Sequence, residues 1–316
     1  MLEWLTKQEY TAFVPKILLG SIVVVVLLNY LMKAPYVIKN SAYEVFRYLN
    51  TRYVIHQLAD NYNNITDDVI LFYEPSEKEM VPVVMGVAEE FFTHVNNIFD
   101  LQPRGRVPIV IHSDKESLNR SFGWDANESA MGVYWAGIIR VLSPQAWIDE
   151  EDPAVISEAY RYGGPVVHEY IHYIVDLKTK GNYTRWFTEA LAQYWERELT
   201  GFQFDMKEGS LDQGLYPFAA MDRQFDSLPN QALAYSQSLA AADYIYQKHS
   251  HQQVHLLLDS LGAGLSMSKA MEKAFGYDMA TFEENFTKWV KENYLLSAPT
   301  NNGLNNFKSK YNVIAG

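Results

Sequence analysis

Gly163-Gly164-Pro165-Val166-Val167-His168-Glu169-Tyr170-Ile171-His172 is the stretch from which the rest of the chain is read. It reads as a loop feeding a buried helix that carries His-Glu-x-x-His. Pro165 suits a first helical turn, where its missing N–H costs nothing. Val166, Val167, Ile171, Ile174 and Val175 make the segment apolar enough to bury. Residues four apart share a helix face, so both imidazoles can reach one metal ion. Glu169 projects about 100° further round the helix, beside such an ion rather than on it. There it can take a proton from a water. Buried polar groups of this kind need partners, since each costs several kcal/mol when left without one.

A third ligand is available seventeen residues after His172, in Thr184-Arg185-Trp186-Phe187-Thr188-Glu189-Ala190-Leu191-Ala192-Gln193-Tyr194-Trp195-Glu196. Thr184 is placed to cap a second helix, with Glu189 in its first turns. Ala190 and Ala192 are small enough for this helix to approach the first closely. Two histidines and one carboxylate leave a fourth position open, as catalytic rather than structural zinc requires. The other reading of Glu189 is a carboxylate favoured by the helix N-terminus.

His168-Glu169-x-x-His172 followed by Trp186-Phe187-Thr188-Glu189-Ala190 resembles the gluzincin metallopeptidases, most closely the bacterial peptidase MA-like domains. These are relatives of thermolysin and the M1 aminopeptidases, and the resemblance covers about residues 68–295. It implies that His168, His172 and Glu189 bind Zn2+ and that Glu169 is the general base. It also makes the glycine-punctuated Met131–Val141 an edge strand, with Gly132, Val133, Tyr134 and Trp135 pairing with extended substrate. M1 enzymes carry on that strand a glutamate that holds the free amine. No carboxylate occurs from Met131 to Val141, so the resemblance implies an endopeptidase rather than an aminopeptidase. Ala234-Tyr235-Ser236 resembles the M1 region whose tyrosine steadies the oxyanion, which makes Tyr235 the candidate donor. It departs from that pattern at Gln237 and Ser238, and a packed or capping tyrosine is the other reading. Glu196 matches an acidic position in some M1 enzymes that orients a metal-binding histidine.

The chain has 316 residues, 48% of them hydrophobic, which is enough for a sizeable globular core. A net charge of −12 and the lack of a long basic cluster argue against nucleic acid as a partner. With no cysteine, neither disulfides nor thiolate metal sites are possible. Residues 1–12 form a short polar start. The apolar run Ile17–Met32, bracketed by Lys16 and Lys33, predicts a transmembrane anchor over 13–33. A cleaved signal is the competing reading, but no Ala-x-Ala-like site follows. Counting positive charges alone puts the C-terminal side in the cytoplasm. A cysteine-free hydrolase of bacterial type is more usually exported, so an extracytoplasmic catalytic part is expected.

The expected fold class is α+β. A juxtamembrane helix over 34–67, amphipathic over 41–60, is followed by a small mixed β-sheet subdomain over 68–145. A mainly helical subdomain over 146–296 carries the ligands, with a zinc cleft between the two, and 297–316 form a tail. Strands are expected at 68–73, 107–112 and 131–141, with helices at 77–99, 115–122, 232–248 and 282–296. His112 reads as a strand-end residue. His249, His251 and His255 read as a solvated helix end rather than a second metal site. The readings together give a membrane-anchored enzyme acting on peptide or protein. The alternative is a catalytically inactive zinc-binding membrane scaffold or sensor.

Overall fold

The computed structural model describes residues 34–60, 62–123, 130–203 and 209–294. The expected anchor over 13–33 and the tail over 297–316 lie outside the described residues. Among those that are described, no helix is long and apolar enough to cross a membrane.

The fold is α+β, a small mixed sheet followed by a mostly helical region. Its five strands are β1 (Tyr62–Ile65), β2 (Val69–Tyr73), β3 (Val107–His112), β4 (Gly132–Trp135) and β5 (Ile138–Leu142). They lie in the order β1-β2-β3-β5-β4. The central pairs β2–β3 and β3–β5 are parallel, and the outer pairs are antiparallel. Near-continuous burial along β2, β3 and β5 is what strands covered on both faces show.

Two expectations are corrected here. Residues 131–141 form a hairpin, not one strand: Ala136 and Gly137 have φ of 44° and 93° and reverse the chain in two residues. Positive φ at both central positions matches the right-handed twist of the flanking strands. The segment 34–67 is likewise not all helix. After α1 (Tyr36–Gln57) the chain enters the sheet as β1.

Helix α2 (Val81–Phe99) buries its valines and phenylalanines between the sheet and the helices that follow, with Phe92 stacked on Tyr170. The short α3 (Lys115–Arg120) is capped by Asp114, whose side chain accepts from Ser117 N–H. The helical region holds α4 (Pro153–Gly163), α5 (Val166–Thr179) and α6 (Arg185–Thr200). Then come α7 (Phe218–Gln224), α8 (Gln231–Lys248), α9 (His251–Gly262), α10 (Met267–Phe275) and α11 (Met279–Trp289). Trp186, Phe218, Phe282 and Phe286, all fully buried, pack together and fix α6 against α7 and α11. Ala190 and Ala192 are fully buried as well, in keeping with the close approach of α5 and α6.

Candidate metal centre

His168 and His172 stand one turn apart on α5, and Glu189 reaches them from the first turns of α6. One ligand atom from each lies within 4.8 Å of the others. His168 Nε2 is 3.4 Å from Glu189 Oε2, and His172 Nε2 is 3.5 Å from Glu189 Oε1. The two Nε2 atoms are 3.1 Å apart.

Both imidazoles turn Nε2 inward because Nδ1 is held from behind. His168 Nδ1 meets Glu196 Oε2 at 2.9 Å, and His172 Nδ1 meets Thr188 Oγ1 at 2.6 Å. Such partners fix ring orientation in metal sites. Glu196 and Glu189 are seven apart on α6, so one helix supplies both the carboxylate facing the imidazoles and the one behind.

The residues fit a divalent metal. Glu189 is 1% exposed, yet among the described residues its Oε2 has no hydrogen-bond donor. A buried carboxylate oxygen left that way is costly, and a cation at the convergence point satisfies it. The electrostatics run the same way. Burial alone would lift Glu189, but Arg185 and the two histidines hold it well below the usual carboxylate range. Burial would likewise depress His168, yet Glu196 and Glu189 outweigh it and hold the ring well above its ordinary value. His172 is pushed down to about 4, chiefly by burial. Glu189 is therefore ionised beside a neutral His172, the states in which a carboxylate and an imidazole can bind a metal.

Glu169 stays off this ligand set. Its Oε2 accepts from the backbone N–H of Tyr134 at 2.6 Å, which ties α5 to β4. Burial, helped by the charge on Glu189, raises its pKa to about 7. The approach is close at Gly132, where an added Cβ would stand 2.6 Å from Pro165 Cβ and 2.9 Å from Glu169 Cγ. β4 is the last strand of its sheet, and the Tyr134 N–H points away from β5 toward α5. Val133 pairs with Arg140 inside the hairpin, and Trp135 is exposed at its tip.

Tyr235 lies beside Arg185 and Glu189. The charge on Glu189, with burial, pushes its phenol far above the ordinary range, so the hydroxyl keeps its proton. Arg185 donates to Glu189 Oε1 at 2.9 Å from one turn earlier on α6.

Residues that sequence reading did not single out complete the surroundings. Asp176, one turn beyond His172, is fully buried; its Oδ2 accepts from Arg47 Nη1 at 2.8 Å and from the Tyr134 hydroxyl at 2.6 Å. Tyr134 thus joins Glu169 through its backbone and Asp176 through its side chain. The spacing 168, 172, 176 is the signal that would have found Asp176. For Arg185 it is the i,i+4 pairing with Glu189.

The remaining histidines are not brought to the centre. His251 opens α9 as an exposed helix-end residue, as expected, with its ring against Trp195 and Tyr246. His255 Nε2 meets the carbonyl of Ile98 at 2.7 Å, and His249 stacks on Phe275. His112 ends β3, as expected.

Residues 153–292 match the family model described as the Peptidase MA superfamily. The matched stretch runs from α4 to α11, includes both ligand helices, and is consistent with a gluzincin-like metallopeptidase domain. No curated protein matches the chain.

Proposed function

We propose that this protein is a zinc-dependent endopeptidase, held at a cell membrane by a single span over 13–33, with its catalytic part outside the cytoplasm. The observation that carries the enzymatic reading is the convergence of His168, His172 and Glu189, with Glu169 adjacent and free of the ligand set. A zinc ion held by those three side chains supplies Lewis acidity, which polarises a carbonyl and acidifies a water.

The remaining work falls to the chain itself. Glu169 takes a proton from the attacking water and passes it to the leaving amine. Its raised proton affinity, from burial, suits both halves of that exchange. The Tyr235 hydroxyl, kept protonated beside Glu189, donates to the carbonyl oxygen as negative charge gathers there. The outer edge of β4 lines an extended peptide along α5 by strand addition. Glu196 holds His168 in register by accepting from Nδ1. Because no carboxylate stands between Met131 and Val141 to grip a free amine, cleavage within a chain is favoured over removal of its first residue.

The test is hydrolysis of unfolded casein by wild type and Glu169→Gln, with zinc content measured beside it. The variant should retain zinc and lose activity by about 10²–10⁴-fold, the usual contribution of a positioned acid–base group. Equal hydrolysis by both proteins refutes the role of Glu169. Stoichiometric zinc in the wild type, with no cleavage of any peptide in a diverse library, marks a zinc-binding scaffold instead.

A further inference from the structure

Helix α1 is amphipathic the wrong way round for a helix packed on a globular body. Its inward face is largely polar. Asn40 Nδ2 donates to the Leu261 carbonyl at 3.1 Å, Arg47 pairs with Asp176, and Asn50 Nδ2 donates to the Ala136 carbonyl at 3.0 Å. Only toward its C-terminal end do Val54 and Ile55 join Phe72, Val110 and Ile138 in a small apolar cluster. The outward face is apolar as far as Leu49, with Ile38, Val45, Phe46 and Leu49 exposed (Val45 at 59% and Leu49 at 58%), and past Arg52 it continues to the exposed Tyr53. Eight of the eleven large hydrophobic side chains exposed among the described residues lie on this one helix. The patch continues onto β4, where Trp135, 49% exposed, meets the ring of Phe46 edge-on at 5.8 Å.

We propose that this outward face of α1, together with Trp135, seats in the headgroup and acyl boundary of a lipid bilayer. Three observations favour lipid. The apolar run Ile17–Met32 ends three residues before Pro35, the residue that caps α1, so the face begins where the chain would leave a bilayer. Aromatic rings (Tyr36, Tyr48, Tyr53, Trp135) border the aliphatic stripe, the composition of an interfacial belt. The charges left on the helix are also cationic within an anionic chain: Arg47 is taken up by Asp176 and Glu44 is turned to Lys180 at 3.4 Å, which leaves Lys39 and Arg52.

A second copy of the chain fits less well. Ile38, Ala42, Val45 and Leu49 follow a 4-3-4 spacing, but Arg52 and His56 then occupy the seam. A coiled coil needs about three to four heptads of apolar seam. The proposal rests on the tether reading of residues 13–33, and it brings the open edge of β4 to the membrane surface.

The lack of native cysteine makes the test clean. Single Val45→Cys and Leu49→Cys substitutions in the full chain are nitroxide-labelled and placed in phosphatidylcholine–phosphatidylglycerol vesicles. Leu256→Cys on α9, also exposed, is the aqueous control. Unchanged thermal melts show that the labelled chains are folded. The expected result is that labels at 45 and 49 collide several-fold more with oxygen and several-fold less with a water-soluble nickel chelate than the label at 256. Nickel collision equal to that at 256, in protein that has entered the vesicles, overturns the docking and leaves the tether standing. Protein that does not enter vesicles overturns both. Spin–spin broadening at 45 assigns the face to a second copy and overturns the lipid assignment.

Discussion

The chain holds two pairs of histidines four residues apart on a helix, and they have different fates. His168 and His172 meet a carboxylate from the neighbouring helix, and each has its Nδ1 held from behind. His251 and His255 have the same spacing but point at different neighbours, one at aromatic rings and the other at a backbone carbonyl. The comparison teaches that helical spacing only permits a metal site. What makes one is a second element bringing a carboxylate to the same point, with groups behind the rings to aim them.

The most drastic way to break the comparison is to remove, one at a time, two of the converging side chains and each histidine of the second pair. His168→Ala and Glu189→Ala should abolish stoichiometric zinc, whereas His251→Ala and His255→Ala should leave it unchanged in metal analysis. Zinc lost from the second pair of variants would mean that the two pairs differ less than their surroundings imply.

A finer cut leaves the ligands alone and takes away the aim. Glu196→Gln keeps size and removes the charge behind His168. Partners of this kind are worth about 10–100-fold in metal affinity or activity, so competition with a chelator should show a loss of that order. No change in affinity would place the selectivity wholly in the three converging side chains.

The last effect, read on stability rather than on metal binding, concerns a histidine outside the centre. His112 is partly buried, its Nε2 has no hydrogen-bond partner among the described residues, and burial together with Arg140 lowers its pKa to about 4. Its folded value lies below the unfolded value near 6.5, so the unfolded chain takes up the proton first as pH falls. Its contribution is therefore complete above about pH 6.5 and lost on the way down to about pH 4. By the free energy of each pKa unit it amounts to about 3 kcal/mol at most. His112→Gln should flatten the dependence of melting temperature on pH in that window. An unchanged slope would show that other groups dominate it.

Much of this was legible beforehand where chemistry and periodicity coincide. The convergence of His168, His172 and Glu189 could be read because His-Glu-x-x-His needs a helix, and Glu189 sits early in the next one. Strands β2 and β3 announced themselves as short apolar runs between turn residues. The hairpin did not, because Ala136 gives no warning of a positive φ; only its neighbour Gly137 does. β1 was hidden by its composition, since Tyr-Asn-Asn-Ile carries no strand pattern and is held by pairing with β2. The link from Arg47 through Asp176 to Tyr134 spans more than a hundred residues, and no local pattern encodes such a contact. Tyr134 N–H as the partner of Glu169 was equally hidden, because backbone groups leave no trace in residue identity.

Gly132 gives position 132 an unusual use. With Pro165 and Glu169 packed where a Cβ would go, one added methyl acts as a wedge on Glu169, the proton carrier proposed above, without altering its chemistry. Alanine there is thus a ruler for how far that carboxylate can be displaced before turnover suffers, a graded setting that deleting the side chain cannot provide.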